Sequence, residues 1–148
     1  MAQYRWLTPD FATAEQLGPA DMAELAEAGI RTVLCNRPED EVPIELRAEA
    51  LAEHARAAGL GFHKVEMPPF GLTGEVVAQE ARLLAETPGP HLAYCTSGTR
   101  SALMWAFAMV GPMTPEAIAA ALAEGGFGFA GIEDQLTAYA RQKEAGTD

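Results

Sequence analysis

The chemistry of this chain is concentrated in Leu92-Ala93-Tyr94-Cys95-Thr96-Ser97-Gly98-Thr99-Arg100-Ser101, where an apolar strand-like segment ends in a cysteine, a loop of small residues follows, and an arginine opens an apolar helix. In such a loop the backbone N–H groups of Thr96, Ser97, Gly98 and Thr99 can converge on one point. The N-terminus of the following helix adds partial positive charge there, so the segment predicts an anion cradle with Cys95 as the nucleophile at its floor. A free thiol titrates near ~8.5, and a cysteine at a helix N-terminus beside an arginine commonly falls to between about 3.5 and 7.5. Much of such a thiol is thiolate at neutral pH. Gly98 permits the tight bend, Arg100 offers a planar two-pronged donor to an oxyanion, and the Ser101 hydroxyl is placed to stabilise the thiolate.

The elements that must position this loop follow from pattern. Phe11 to Ala14 reads as a short first strand, and Gly18-Pro19 opens a helix that Gly29 closes. Ile30 to Cys35 is a β-branched run of strand length that stops at Asn36-Arg37-Pro38. Ile44 to Ala58 repeats apolar residues at helical spacing and ends at Gly59, after which Gly61 to Val65 predicts a third strand. A proline-bearing loop, Glu66 to Leu72, leads to Thr73, placed to cap a helix ending near Glu86, and His91 to Tyr94 predicts a fourth strand. Helices are expected from Ser101, near Pro115 and near Ile132, with a frayed tail after Gln142. Strands alternating with helices imply an α/β fold with a parallel sheet covered on both faces.

Composition narrows the function classes. The chain has 148 residues, room for one domain with a core over roughly residues 8–138, and its 49% apolar content predicts a packed interior. A formal charge of −11 repels nucleic acid and anionic membrane surface. The longest strongly apolar run, Ala102 to Val110, is about half of the ~20 residues that a membrane span requires. Two cysteines make no disulfide framework, and MAQYRWLTPD has neither a basic nor an apolar leader region, so the expectation is a cytoplasmic protein. His54, His63 and His91 show no ligand spacing among themselves or with the cysteines, so no metal and no cofactor is expected. Gly126 to Gly131 (GFGFAG) matches a dinucleotide fingerprint, yet it follows a helix and leaves 17 residues after it. It reads instead as a turn after a helix-ending Gly125, with Phe127 and Phe129 packed on the sheet or covering a pocket. Met104, Trp105 and Phe107 read as core.

With four residues between Cys95 and Arg100, the loop is one shorter than in protein tyrosine phosphatases and resembles that of rhodanese-type sulfurtransferases. Together with Asn36-Arg37-Pro38 and Leu72-Thr73, the segment resembles the beta-lactamase hydrolase-like, phosphatase-like domain family, also known as a small sulfur transferase family. Members of it occur alone or fused to persulfide dioxygenase-type domains. The resemblance implies a three-layer α/β/α phosphatase-like sandwich with about four parallel strands. It also implies that Arg37 follows a strand adjoining the Cys95 strand and faces the same anion, or else braces its own loop against Glu39, Asp40 or Glu41. Tyr94 stands where tyrosine phosphatases usually have histidine.

Where phosphatases of this kind carry their acid, the chain offers only Glu66, with Asp40 a second candidate proton donor. Transfer of sulfane sulfur expels a thiolate or sulfite, which leaves without protonation, so the missing aspartate favours a Cys95 persulfide. The expected substrate is therefore a small anionic sulfur donor, with a thiol acceptor or a persulfide dioxygenase as partner. A phosphatase working through a phosphocysteine and a non-catalytic anion-binding module are the rival readings. Cys35 also ends a strand, and at a strand spacing of about 4.8 Å it is either a relay thiol beside Cys95 or a small buried hydrophobe.

Overall fold

The computed structural model describes residues 3–38, 42–68 and 71–145. Its centre is a five-stranded sheet in the order β1-β2-β5-β3-β4. The strands are β1 (Tyr4–Thr8), β2 (Phe11–Ala14), β3 (Thr32–Cys35), β4 (Gly61–Lys64) and β5 (His91–Tyr94). The last four are mutually parallel, as the alternation of elements predicts. The edge strand β1 corrects the four-strand count: Tyr4 to Thr8 turns back at Pro9-Asp10 and pairs antiparallel with β2. Only this pairing partner makes the short N-terminal segment a strand. Two strands of a hairpin can be joined by a tight turn, whereas the parallel strands each need a crossover helix.

The helices are α1 (Asp21–Glu27), α2 (Ala48–Ala57), α3 (Gly74–Glu86), α4 (Thr99–Ala108), α5 (Pro115–Glu124) and α6 (Ile132–Ala145). The single helix expected over Ile44 to Ala58 is divided: Ile44–Leu46 is a 3₁₀ turn, Arg47 is extended (φ −69°, ψ 157°), and α2 starts afresh after it. Thr73 caps α3 as expected, its hydroxyl accepting from Val76 N at 3.2 Å.

One face of the sheet packs Ala12, Val33, Leu92 and Tyr94 against Met22 and Leu25 of α1 and Leu51 and Ala55 of α2. The other packs Phe11, Leu34 and Ala93 against Trp105, Ile118 and Leu136 of α4, α5 and α6. Trp105 stacks on Phe11 with ring centroids 5.3 Å apart, and Met104 and Trp105 are buried, so these residues belong to the core. The result is an α/β/α sandwich in which every parallel strand points its carboxyl end the same way. The loops after β2, β3, β4 and β5 therefore meet along one edge, where open α/β sheets place their ligands.

Candidate active site

Cys95 lies one residue beyond β5, the middle strand of the sheet, and is 1% exposed. The β2–β5 ladder continues into the loop, with Cys95 N donating to Ala14 O at 3.3 Å and Gln16 N donating to Thr96 O at 3.4 Å. Gly98 then takes φ +90° and serves as the N-cap of α4. In this left-handed turn its N–H points back at the sulfur, donating to Cys95 Sγ at 3.2 Å. Ala102 N to Gly98 O, at 2.9 Å, is the first turn-closing bond of α4. The N–H groups of residues 99–101 thus precede the helical ladder and lack helical acceptors. Thr73 and Thr114 cap α3 and α5 with their own hydroxyls, whereas Gly98 has no side chain to cap α4 and Ser97 Oγ accepts only from Thr99 N, at 3.5 Å.

Thr96, Ser97 and Thr99 are exposed on the rim, where the Ser97 hydroxyl donates to Thr99 Oγ1 at 3.0 Å. Arg100, half-buried in the first turn of α4, reaches back over the loop to Thr96 Oγ1 at 3.5 Å. Ser101 departs from expectation: its hydroxyl is buried but makes no hydrogen bond to the sulfur or to any other described atom. The observed donor to Cys95 is the Gly98 amide.

A β-carbon on Gly98 would approach Ala14 O to 3.5 Å and Thr13 Oγ1 to 3.6 Å, which is ordinary contact, so the positive φ is what demands glycine. Gly98→Ala is expected to cost about 1–2 kcal/mol in urea unfolding. It should weaken anion binding as well, because the strained turn no longer aims its amide at the sulfur.

Arg37 is linked to this loop only by way of Gln16 in the described contacts. Its Nη1 donates to Gln16 Oε1 at 2.8 Å, and the Gln16 backbone is the group bonded to Thr96. Its expected bracing partners Glu39, Asp40 and Glu41 lie outside the described residues, and so does the Asp40 proton-donor reading. Glu66 is at the surface, 3.0 Å from Lys64 Nζ, an ion pair that engages its carboxylate. Cys35 pairs in register with Tyr94 rather than Cys95 and sits 3% exposed in the core on the α1–α2 face. Its thiol donates to Arg37 O at 3.6 Å. That environment matches the small buried hydrophobe. Tyr94 is likewise core, its ring 6.3 Å from that of Phe62.

Sequence reasoning missed three residues that organise this edge: Gln16, Asn36 and Glu80. The Asn36 N–H donates to Tyr94 O at 2.9 Å, and Asn36 O accepts from Met67 N at 3.2 Å, so residue 36 joins the β3, β4 and β5 loops. The only sequence signal was an asparagine immediately before Arg37-Pro38; nothing local marks Gln16 or Glu80.

Ser97 and Thr99 also line a cavity of about 340 Å³ with Arg5, Glu15, Gly126 and Phe127. The GFGFAG segment is thus the α5–α6 turn beside the loop, with no strand before it. Phe127 and Phe129 stack on each other at 6.0 Å, and the Arg5 guanidinium lies 5.7 Å from the centre of the Phe127 ring. His54 is exposed on α2, His63 is half-buried on β4, and His91 is buried at the opposite end of β5 from Cys95. Among the described residues, no group of three or more His, Cys, Asp or Glu side chains could hold a metal ion, and no helix is long and apolar enough to cross a membrane.

An α/β/α sandwich on a mixed sheet, with a cysteine loop at the carboxyl end of its middle strand and an arginine on the next helix, defines a phosphatase-like fold. Residues 3–112 match the family described as beta-lactamase hydrolase-like protein, phosphatase-like domain, and the chain belongs to this family. A beta-lactamase hydrolase-like protein of Xylella fastidiosa is 29% identical over 99 residues, 67% of this chain. The match spans 23% of that relative, so the chain covers about a quarter of its length. A candidate phosphatase from Neisseria meningitidis has a similar structure, with a TM-score of 0.76 and 26% identity, covering 91% of this chain and 96% of that one. PTPMT1 in complex with PI(5)P shares the fold at a TM-score of 0.72 and 15% identity, covering 96% and 97% of the two chains.

Proposed function

We propose that this protein is a cysteine-dependent phosphatase acting on phosphate monoesters through a Cys95 phosphocysteine. The observation that supports this above all is the Gly98 amide aimed at Cys95 Sγ at 3.2 Å, at the N-terminus of a helix that carries Arg100. The Neisseria structure and the PTPMT1–PI(5)P complex support it by likeness. The Cys95 thiolate attacks phosphorus, the P–O bond to the alcohol breaks, and the alcohol oxygen leaves with the bonding pair. Water then cleaves the S–P bond, releasing inorganic phosphate and regenerating the thiol. Loop amides and Arg100 hold the three non-bridging oxygens as charge shifts onto the leaving group.

Glu66 is paired with Lys64 at the surface, and Glu15, on the cavity lined by Ser97 and Thr99, makes no described side-chain hydrogen bond to the loop, so no described carboxylic acid is assigned to the leaving group. The rate should therefore fall steeply as the leaving group becomes more basic. Aryl phosphates are expected to turn over roughly 10²–10⁴-fold faster than alkyl phosphates, the scale of a missing general acid. A series of substituted phenyl phosphates against glycerol phosphate measures this; equal rates across the series would place an acid at the site and overturn the prediction.

The same engaged Glu66 and the four-residue spacing favour a second reading, sulfur transfer. Here the thiolate attacks the outer sulfur of thiosulfate or of a persulfide, the S–S bond breaks, and sulfite or a thiolate departs unprotonated. The two readings separate by intact mass. Thiosulfate or glutathione persulfide adds one sulfur to Cys95 under sulfur transfer and nothing under the phosphatase reading, for which hydrolysis of an aryl phosphate is the positive result.

A further inference from the structure

Glu80, in the middle of α3, is the one carboxylate side chain among the described residues that is 0% exposed. Asn36, equally buried, donates both N–H bonds of its amide: to Glu80 Oε1 at 3.2 Å and to Val65 O at 2.9 Å. The two remaining atoms, Asn36 Oδ1 and Glu80 Oε2, are buried and accept no hydrogen bond from any described residue. Two bare acceptors on hydrogen-bonded partners are costly out of water, and a proton carried on Glu80 Oε2 and donated to Asn36 Oδ1 would satisfy both.

We infer that Glu80 is carried as a neutral carboxylic acid whose Oε2 hydroxyl donates to Asn36 Oδ1, and that this acid–amide pair is the positioning unit that holds Arg37 and Met67 at the Cys95 end of the sheet. The bonds that transmit it are on the structure. Residue 36 is tied to Tyr94 O, the carbonyl before Cys95, and to Met67 N in the β4–α3 loop. Arg37 follows directly and reaches Thr96 through Gln16. Burial supports the neutral form, raising the Glu80 pKa from 4.5 to about 7, while the Asn36 bond opposes it. The elements around it bring Arg37, Lys64, Glu66, Tyr94, Cys95 and Arg100 to this end of the sheet. Lys64 and Glu66 are paired with each other, and burial with the Asn36 bond accounts for the shift.

The positioning half rests on the Cys95–Arg100 site proposed above, whereas the protonation of Glu80 stands without it. Infrared spectroscopy of the wild-type chain near neutral pH is expected to show the carbonyl band of a protonated carboxyl that titrates near about 7 and is missing in Glu80→Gln. Glutamine is isosteric and donates to Oδ1 at every pH, so it copies the acid form. Sulfate, which does not titrate in this range, is the anion probe, with binding measured by calorimetry on the Cys95→Ser chain to remove the thiol. Affinity is expected to fall about tenfold between about pH 6 and about pH 8.5 with Glu80, and to stay level with Glu80→Gln.

The folded-state pKa is raised, so the stabilising contribution of the acid is full below 4.5 and lost as pH rises through about 7. The melting temperature of wild type should therefore drop relative to Glu80→Gln over that window. Absence of the band overturns the neutral acid. A band with parallel sulfate profiles in the two chains overturns positioning alone, and neither outcome depends on whether an ester is cleaved.

Discussion

Cys95→Ser is expected to lower turnover of an aryl phosphate by roughly 10⁴–10⁶-fold, the scale on which removal of a covalent nucleophile acts. A serine hydroxyl is a poor nucleophile unless a base takes its proton, and His91, buried at the far end of β5, cannot serve. The loop itself should survive, because its shape is set by Ala14 O, Thr96 O and the left-handed Gly98 rather than by the sulfur. Phosphate or sulfate should still raise the melting temperature of the variant, by an amount equivalent to about 2.7 kcal/mol at a hundredfold excess over Kd. Residual turnover within tenfold of wild type would remove Cys95 from the reaction. Loss of both turnover and the anion-induced shift would mean that the sulfur builds the cradle rather than acting in it.

Arg100→Ala is expected to reduce kcat by roughly 10²–10³-fold, the effect of deleting one preorganised donor to a developing oxyanion. Arg100→Lys should recover little of it, since an ammonium is a point charge and cannot present two parallel N–H groups to two phosphate oxygens. The effect should fall on both kcat and KM: the guanidinium neutralises charge in the bound ester and follows it into the transition state. Steady-state kinetics on one aryl phosphate across wild type, alanine and lysine variants checks this. Full rescue by lysine would show that charge alone matters and that the planar fork does not. In the sulfur-transfer assay the same variants should show a raised KM for thiosulfate, whose sulfonate oxygens occupy the same donors.

The legible parts of this protein were those with local causes. Gly98 between a cysteine and an arginine permitted the tight bend that the structure closes at φ +90°, and Thr73 was placed to cap the helix it does cap. Helix α5 began at Pro115 and α6 at Ile132, where the apolar periodicity starts each helix. The β3, β4 and β5 segments were short β-branched or aromatic runs bounded by glycine or proline. In contrast, β1 buries only Leu7 of its five residues, so no apolar alternation marked it in the sequence, and its identity depends on the hydrogen bonds it makes to β2. The division of the second helix at Arg47 was equally hidden, because apolar spacing continued unbroken across a residue whose backbone is extended.

Distribution of roles among polar residues was less legible than the elements. Glu66 looked available by position in its loop, but Lys64 is two residues away on an edge strand and takes its carboxylate. Ser101 looked like a partner for the sulfur by spacing, yet the turn at Gly98 brings a backbone amide there instead. Cys35 and Cys95 both end strands, and the register of β3 against β5 sets Cys35 beside Tyr94.

The sequence alone determined the alternation of strands and helices and the place of the small-residue loop between Cys95 and Arg100. Each of these follows from steric limits and periodicity acting over a few neighbouring residues. Only the tertiary structure decided that Gln16 links Arg37 to Thr96 and that Asn36 binds Glu80 from 44 positions away. Those contacts exist because parallel strands deliver distant segments to one edge of a sheet, where buried polar atoms must find partners that no local pattern records.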